Sequence, residues 1–171
     1  DWIIELKTTK LPEAQILGSA IGLKVMEDVP YVIGLDKYLG NELNDNAKSY
    51  LKDFGAATAS NGAVGLYHID GLTPEAVKLG KKLVKQDAKV YVIDDAELER
   101  VKKSYPVLWK NPDKKAELAF IGCPHLSYSQ LNTWANDIVN RLKNNGGKKV
   151  KVRTILTTSP QVREKFAKTD L

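Results

Sequence analysis

The single cysteine of this 171-residue chain, Cys123, stands two positions before one of its only two histidines, His125, in the stretch FIGCPHLSYSQL (120–131). A thiol and an imidazole at that distance allow three chemistries. Cys123 is a small apolar residue packed at a strand end, a nucleophile whose proton His125 removes, or a thiolate ligand of a metal or cluster. One Cys and two His do not complete a structural zinc site, so the ligand reading requires further donors from outside the chain. Pro124 disfavours helical backbone at Cys123. Ser127 and Gln130 have the spacing of a capping box, which starts a helix at that point and leaves Gly122–His125 in the preceding loop.

The second histidine, His68, closes the apolar run AVGLYHI (63–69) and is followed by Asp70, Gly71 and Thr73. It reads either as a half-buried imidazole bonded to backbone or as a polar group aimed into a ligand crevice. The preceding ASNGAVG (59–65) is a helix-to-strand turn, the reverse of a dinucleotide loop, whose glycines follow a strand and open a helix. Neither a phosphate-binding P-loop nor a Ser-centred nucleophile elbow is present.

These residues sit in a regular alternation. Apolar runs at 2–6, 31–35, 63–69, 89–93, 117–122 and 151–157 predict six strands, mostly continuous rather than alternating, as in sheets covered on both faces. Thr73-Pro74-Glu75, Asp94 with Glu97, and Ser159-Pro160 predict helix starts. Leu131, Trp134, Ala135, Ile138, Val139 and Leu142 form one apolar helical stripe that ends at NNGGKK. The alternation predicts an α/β fold: three layers, a mostly parallel sheet with helices on both faces, in one domain over 1–171. In such sheets ligands collect where strands end and helices begin, which points to the loops after the third and fifth strands.

Composition bounds the function classes. With 43% hydrophobic and 27% charged residues, and no apolar run of membrane-span length, the chain is expected to be a soluble globular protein without a membrane partner. One cysteine excludes an internal disulfide framework and suits a cytoplasmic setting. The net charge of +5 favours an anionic small molecule. The lysines are spread without interleaved aromatics, which argues against nucleic acid. The start DWIIELKTTK has neither an initiator Met nor a signal pattern, and the end REKFAKTDL has no tail, so the chain is expected to be a domain excised from a longer protein.

ASNGAVGLYHIDGLTPEA (59–76), followed in order by AFIGCPHLSYSQL (119–131), resembles the aconitase X family. TTKLPEAQILGSAIG, VPYVIGL and VRTILTTSPQVRE are similar to the corresponding stretches, so the resemblance covers essentially the whole chain. It implies a fragment of the large subunit of a hydro-lyase that works with a small swivelling subunit. The archaeal branch dehydrates mevalonate 5-phosphate on an isoprenoid route, and bacterial relatives act on 3-hydroxyprolines. The lysine-rich character favours the archaeal branch. The resemblance also implies an iron–sulfur cluster in the full enzyme, held by three cysteines of which Cys123 is one, with no cluster expected on this fragment. Ser60, Asn61, His68 and His125 become substrate-binding candidates. No catalytic residue is expected in this chain, because the family's base is a serine of the small subunit. The competing expectations are a non-catalytic α/β module that binds a partner or ligand, and a Cys-dependent hydrolase.

Overall fold

The computed structural model describes residues 1–111 and 113–169. The closing Thr-Asp-Leu therefore lies partly outside the described residues. The chain divides into two compact units, Asp1–Pro106 and Val107–Leu171, where no internal boundary was expected. The junction has none of the Gly- or Ser-rich composition that announces a linker. Among the described residues the strands close two separate ladders, one in each unit, instead of one sheet.

In the first unit, β1 (Trp2–Lys7), β2 (Pro30–Ile33), β3 (His68–Ile69) and β4 (Lys89–Asp94) form a sheet of order β3-β2-β1-β4. Every pairing is parallel, as the continuous apolar runs led one to expect. The helices are α1 (Ala14–Val25), α2 (Asp36–Leu39), α3 (Asp45–Gly62), α4 (Pro74–Leu79) and α5 (Asp95–Ser104), with a 3-10 turn at Gly80–Leu83. α1 packs against both α3 and α5. β3 is far shorter than the expected 63–69 strand. Its partner β2 has only four residues, so 64–67 find no ladder and run to β3 as a connection.

Alternate residues of the central strands build the core. Trp2, Ile4, Leu6, Val32 and Ile93 meet Leu17, Ile21 and Val25 of α1 and Phe54 of α3 in one buried cluster. α1 and α3 approach closely because glycines stand at the contact. A Cβ on Gly22 would lie 2.7 Å from the Thr58 carbonyl oxygen, and one on Gly62 would overlap the Gly22 backbone. The sequence LGSAIG thus encodes a helix–helix seam.

The second unit is smaller. β5 (Leu118–Leu126) and β6 (Arg153–Thr158) pair in parallel, joined by α6 (Tyr128–Asn144), and α7 (Pro160–Phe166) follows. The predicted start of α6 is present in full: Ser127 Oγ accepts from the Gln130 N–H, and the Gln130 side chain accepts from the Ser127 N–H. Ser159 and Asp94 likewise cap their helices, accepting from the Val162 and Glu97 N–H groups. Thr73 departs from expectation. Its hydroxyl turns back to β3, accepting from the Ile69 N–H at 3.0 Å and donating to the Ile69 carbonyl at 3.3 Å, so it ties down a strand end instead of capping α4.

Candidate functional site

Cys123 lies within β5, not in a loop ahead of the helix as its neighbours suggested. The ladder explains the difference. Pairing runs in register from Leu118↔Arg153 to Ile121↔Leu156, breaks, and resumes at Leu126↔Thr158. Gly122–His125 therefore bulge from a strand that continues beyond them. Gly122 makes the bulge possible with a φ of +125°, and a Cβ there would stand 2.6 Å from the Thr157 carbonyl oxygen. Thr157 Oγ1 donates to the Gly122 carbonyl at 2.7 Å, and Thr158 Oγ1 donates to that of Leu126 at 2.7 Å. Two side chains of β6 thus pin both ends of the bulge.

The bulge leaves the Cys123 thiol exposed and unbridged. Its exposure sets aside the reading of a sealed core thiol. His125 is also exposed. It lines a cavity of about 500 Å3 with Leu131, Leu156, Thr157, Arg163 and Phe166. Lys165 Nζ sits 4.0 Å from the Tyr128 ring centroid, fastening α7 to the start of α6. Among the described residues no group of three or more His, Cys, Asp and Glu side chains could hold a metal ion. This unit therefore fits an iron–sulfur cluster as the source of one thiolate and not as its whole cage.

In the first unit, His68 is buried, 8% exposed, and its Nδ1 has no hydrogen-bond partner among the described residues. Buried polar atoms rarely stay unpaired. His68 is in register with Tyr31, so the two rings share one sheet face, with centroids 6.4 Å apart. Tyr31 donates its hydroxyl to Asp70 Oδ1 at 2.5 Å. Burial first, then the bond to Asp70, holds the Tyr31 hydroxyl far above its usual range of ionisation. His68, Tyr31 and Asp70 form one polar group around the end of β3.

Ser60 and Asn61 are placed elsewhere, on the last turn of α3. α3 leaves the strands' carboxyl edge and runs beside α1, so its end lies toward the sheet's amino edge. Asn61 Nδ2 donates to Ser19 Oγ at 3.2 Å, to the Ala57 carbonyl at 3.0 Å and to Ser60 Oγ at 3.3 Å. Buried Ser19 donates to the Gln15 carbonyl and accepts from the Tyr105 hydroxyl. Among the described residues no hydrogen bond joins Ser60 or Asn61 to His68.

One crevice was missed from the sequence. The order β3-β2-β1-β4 reverses direction between β1 and β4, and at their carboxyl ends lies a cavity of about 530 Å3. Thr9, Lys10, Glu13, Asp95, Glu99 and Lys102 line it. Asp95 accepts from the Thr9 N–H and hydroxyl, the latter at 2.7 Å, closing its floor. Only the strand order identifies this position, and strand order is not written in a periodicity.

The first unit is a parallel α/β sheet with polar groups at strand ends, and the second carries an exposed thiol on a strand bulge. The aconitase X second domain model matches residues 2–103, and the chain belongs to the aconitase X family. The phosphomevalonate dehydratase large subunit of Thermococcus kodakarensis is 26% identical over 94% of this chain and 36% of its own length. That of Methanosarcina mazei is 33% identical over 80% of the chain and 31% of its length. A cis-3-hydroxy-L-proline dehydratase of Hypocrea jecorina is 28% identical over 75% of the chain. The crystal structure of Thermococcus kodakaraensis aconitase X in its holo-form aligns with a TM-score of 0.70 at 26% identity, over 96% of this chain and 38% of that one. The chain thus spans about a third of the length of the phosphomevalonate dehydratase subunits it matches.

Proposed function

We propose that this chain is part of the large subunit of an aconitase X dehydratase that removes water from mevalonate 5-phosphate. The observation that carries the reading is the exposed thiol of Cys123, held on a pinned strand bulge in a chain with no other cysteine. Cys123 supplies one ligand of an iron–sulfur cluster, and the other ligands come from parts of the large subunit outside these residues. When bound, the cluster supplies a Lewis acid for the leaving hydroxyl.

This chain's own residues bind and orient. His68 has a buried ring nitrogen with no hydrogen-bond partner among the described residues, which this reading assigns to a substrate oxygen, and the Tyr31–Asp70 hydrogen bond lies beside it. His125 borders the cavity next to the bulge. Ser60 and Asn61 are substrate groups in this reading, presented from the end of α3. The net charge of +5 suits a phosphorylated acid. The base that removes the proton is a serine of a small companion subunit. No described helix is long and apolar enough to cross a membrane, and the assembly works in the cytoplasm.

The test is anaerobic co-expression of the complete large subunit with its small companion, followed by assays with mevalonate 5-phosphate and with 3-hydroxyprolines. Turnover of the phosphorylated acid is expected. Turnover of a hydroxyproline alone would keep the class and overturn the substrate, a possibility raised by the Hypocrea relative. Cys123→Ser is expected to lower bound iron and visible absorption in the complete large subunit. Unchanged iron content would remove Cys123 from the ligand set.

A further inference from the structure

The net charge of +5 is not spread evenly over the chain. Asp1–Pro106 holds 14 Lys and Arg against 16 Asp and Glu, a net charge of −2, whereas Val107–Leu171 holds 12 against 5, a net charge of +7. The unit with the exposed thiol thus carries all of the excess positive charge. Charge of one sign gathered on a small unit raises the local concentration of anions around it.

Within that unit the cavity beside the bulge has the make-up of a site for a small organic anion. Leu131, Leu156 and Phe166 give it an apolar wall, and His125, Thr157, Thr158 and Arg163 add polar groups. The hydrogen bonds of the two threonines decide which of these groups can hold an anion. A hydroxyl has one hydrogen, and Thr157 and Thr158 give theirs to the carbonyls of Gly122 and Leu126 at 2.7 Å. Toward the cavity these hydroxyls can only accept, so they have no proton for an anion. Arg163 is in a different position. It is exposed, and it takes part in no ion pair among the described residues, although Glu164 follows it and borders an adjoining cavity with it. A guanidinium presents its N–H donors as a planar fork that matches two oxygens of one phosphate.

We propose that Arg163 holds the phosphate of the substrate, with the carbon skeleton against Leu156 and Phe166 and with His125 beside it. The inference rests on the reading of the chain as part of a phosphomevalonate dehydratase and adds to it a residue that determines specificity. A 3-hydroxyproline has a carboxylate but no phosphate, so the fork of Arg163 favours the phosphorylated acid.

The test compares wild type, Arg163→Ala and Arg163→Lys in the complete large subunit with its small companion, prepared anaerobically. Arg163→Ala is expected to raise KM for mevalonate 5-phosphate about ten- to a hundredfold, as for a lost hydrogen-bonded charge pair. The turnover number should fall far less, and iron content should stay at the wild-type level. Inorganic phosphate is expected to compete with substrate in wild type and to lose that effect in Arg163→Ala. Arg163→Lys keeps the charge without the fork and should recover part of the loss. A wild-type KM in Arg163→Ala, or undiminished inhibition by phosphate, would overturn the proposal. So would loss of inhibition by acetate in place of phosphate, which would put the substrate carboxylate on Arg163. Calorimetric titration of inorganic phosphate into the same complexes needs no turnover and so separates the site from the substrate reading. Phosphate binding that Arg163→Ala abolishes supports the site, and a failure to turn over mevalonate 5-phosphate then counts against the substrate reading alone. Phosphate binding that is absent in wild type, or unchanged in Arg163→Ala, overturns the site even where the phosphorylated acid is dehydrated.

Discussion

The first unit buries a continuous core that runs through all four of its strands and through α1, α3 and α5, and every residue of that cluster lies between Trp2 and Val101. Among the described residues of the second unit, whose two strands and two helices follow the same alternating pattern, only Leu126 and Leu131 are buried apolar residues. Its long helix is as amphipathic as any in the chain, yet Trp134 on the apolar stripe remains 42% exposed. The contrast teaches that pattern is not completion. Among the described residues the first unit closes one face of its sheet into a continuous core, although Val90 and Val92 on the other face stay 56% and 40% exposed, and the second unit closes no comparable core.

The largest expected effect sharpens that contrast directly. Phe54 is fully buried at the contact of α3 with the core and with Tyr67, edge to face at 4.9 Å. Phe54→Ala is expected to cost about 3–5 kcal/mol in chemical denaturation. Leu131→Ala, the nearest counterpart in the second unit, is expected to cost less than half as much. Equal losses would show that the second unit has a core of its own, and the comparison would fail.

Gly62→Ala is next. It drives a methyl group into the Gly22 backbone, and helices must separate because backbone cannot step aside, for about 1–3 kcal/mol with the upper end expected. A stability equal to wild type would mean that the α1–α3 seam is looser than the contact implies. In the second unit, Gly122→Ala is expected to cost about 1–3 kcal/mol through its positive φ. The effect should be confined to faster amide exchange in β5 and β6. A matching loss of protection in β1–β4 would show that the two units do not respond separately.

The smallest effect concerns pH. Arg100, donating to both Glu97 carboxylate oxygens at 2.7 Å, holds the Glu97 carboxyl down at about 2, and the Tyr91 hydroxyl adds to this. A carboxyl lowered by folding adds stability above its unfolded value, near 4.5, and loses that contribution as pH falls toward 2. Because the Arg100 side chain is exposed and screened by solvent, the contribution is expected to be small. Thermal melts of wild type and Glu97→Gln between pH 2 and 5 check it: the two curves should converge at the acid end. A gap that widens with acid would have the wrong sign.

Much of this architecture is legible in the residues. Continuous Val- and Ile-rich runs give parallel strands because both faces need apolar cover, and Ser127-x-x-Gln130 marks a helix start because two backbone donors need acceptors there. Other features are not local. Thr73 has every mark of a cap, but the strand end four residues earlier competes for its hydroxyl. The apolar run at 63–69 becomes a two-residue strand because β2 is short. Of the candidate site, Cys123, His125 and His68 stand out by rarity alone, while the Tyr31–Asp70 partnership and the crevice between β1 and β4 depend on strand order.

The sequence by itself determined that this is an alternating α/β chain with a single thiol, because periodicity and caps act over a few neighbouring positions, and its motif stretches carried the resemblance to aconitase X. Only the tertiary structure decided that the described strands form two sheets, that a bulge pinned by Thr157 and Thr158 exposes that thiol, and which apolar strand residues stay exposed. Register, strand order and burial depend on which distant segments meet, and no short stretch of sequence contains that information.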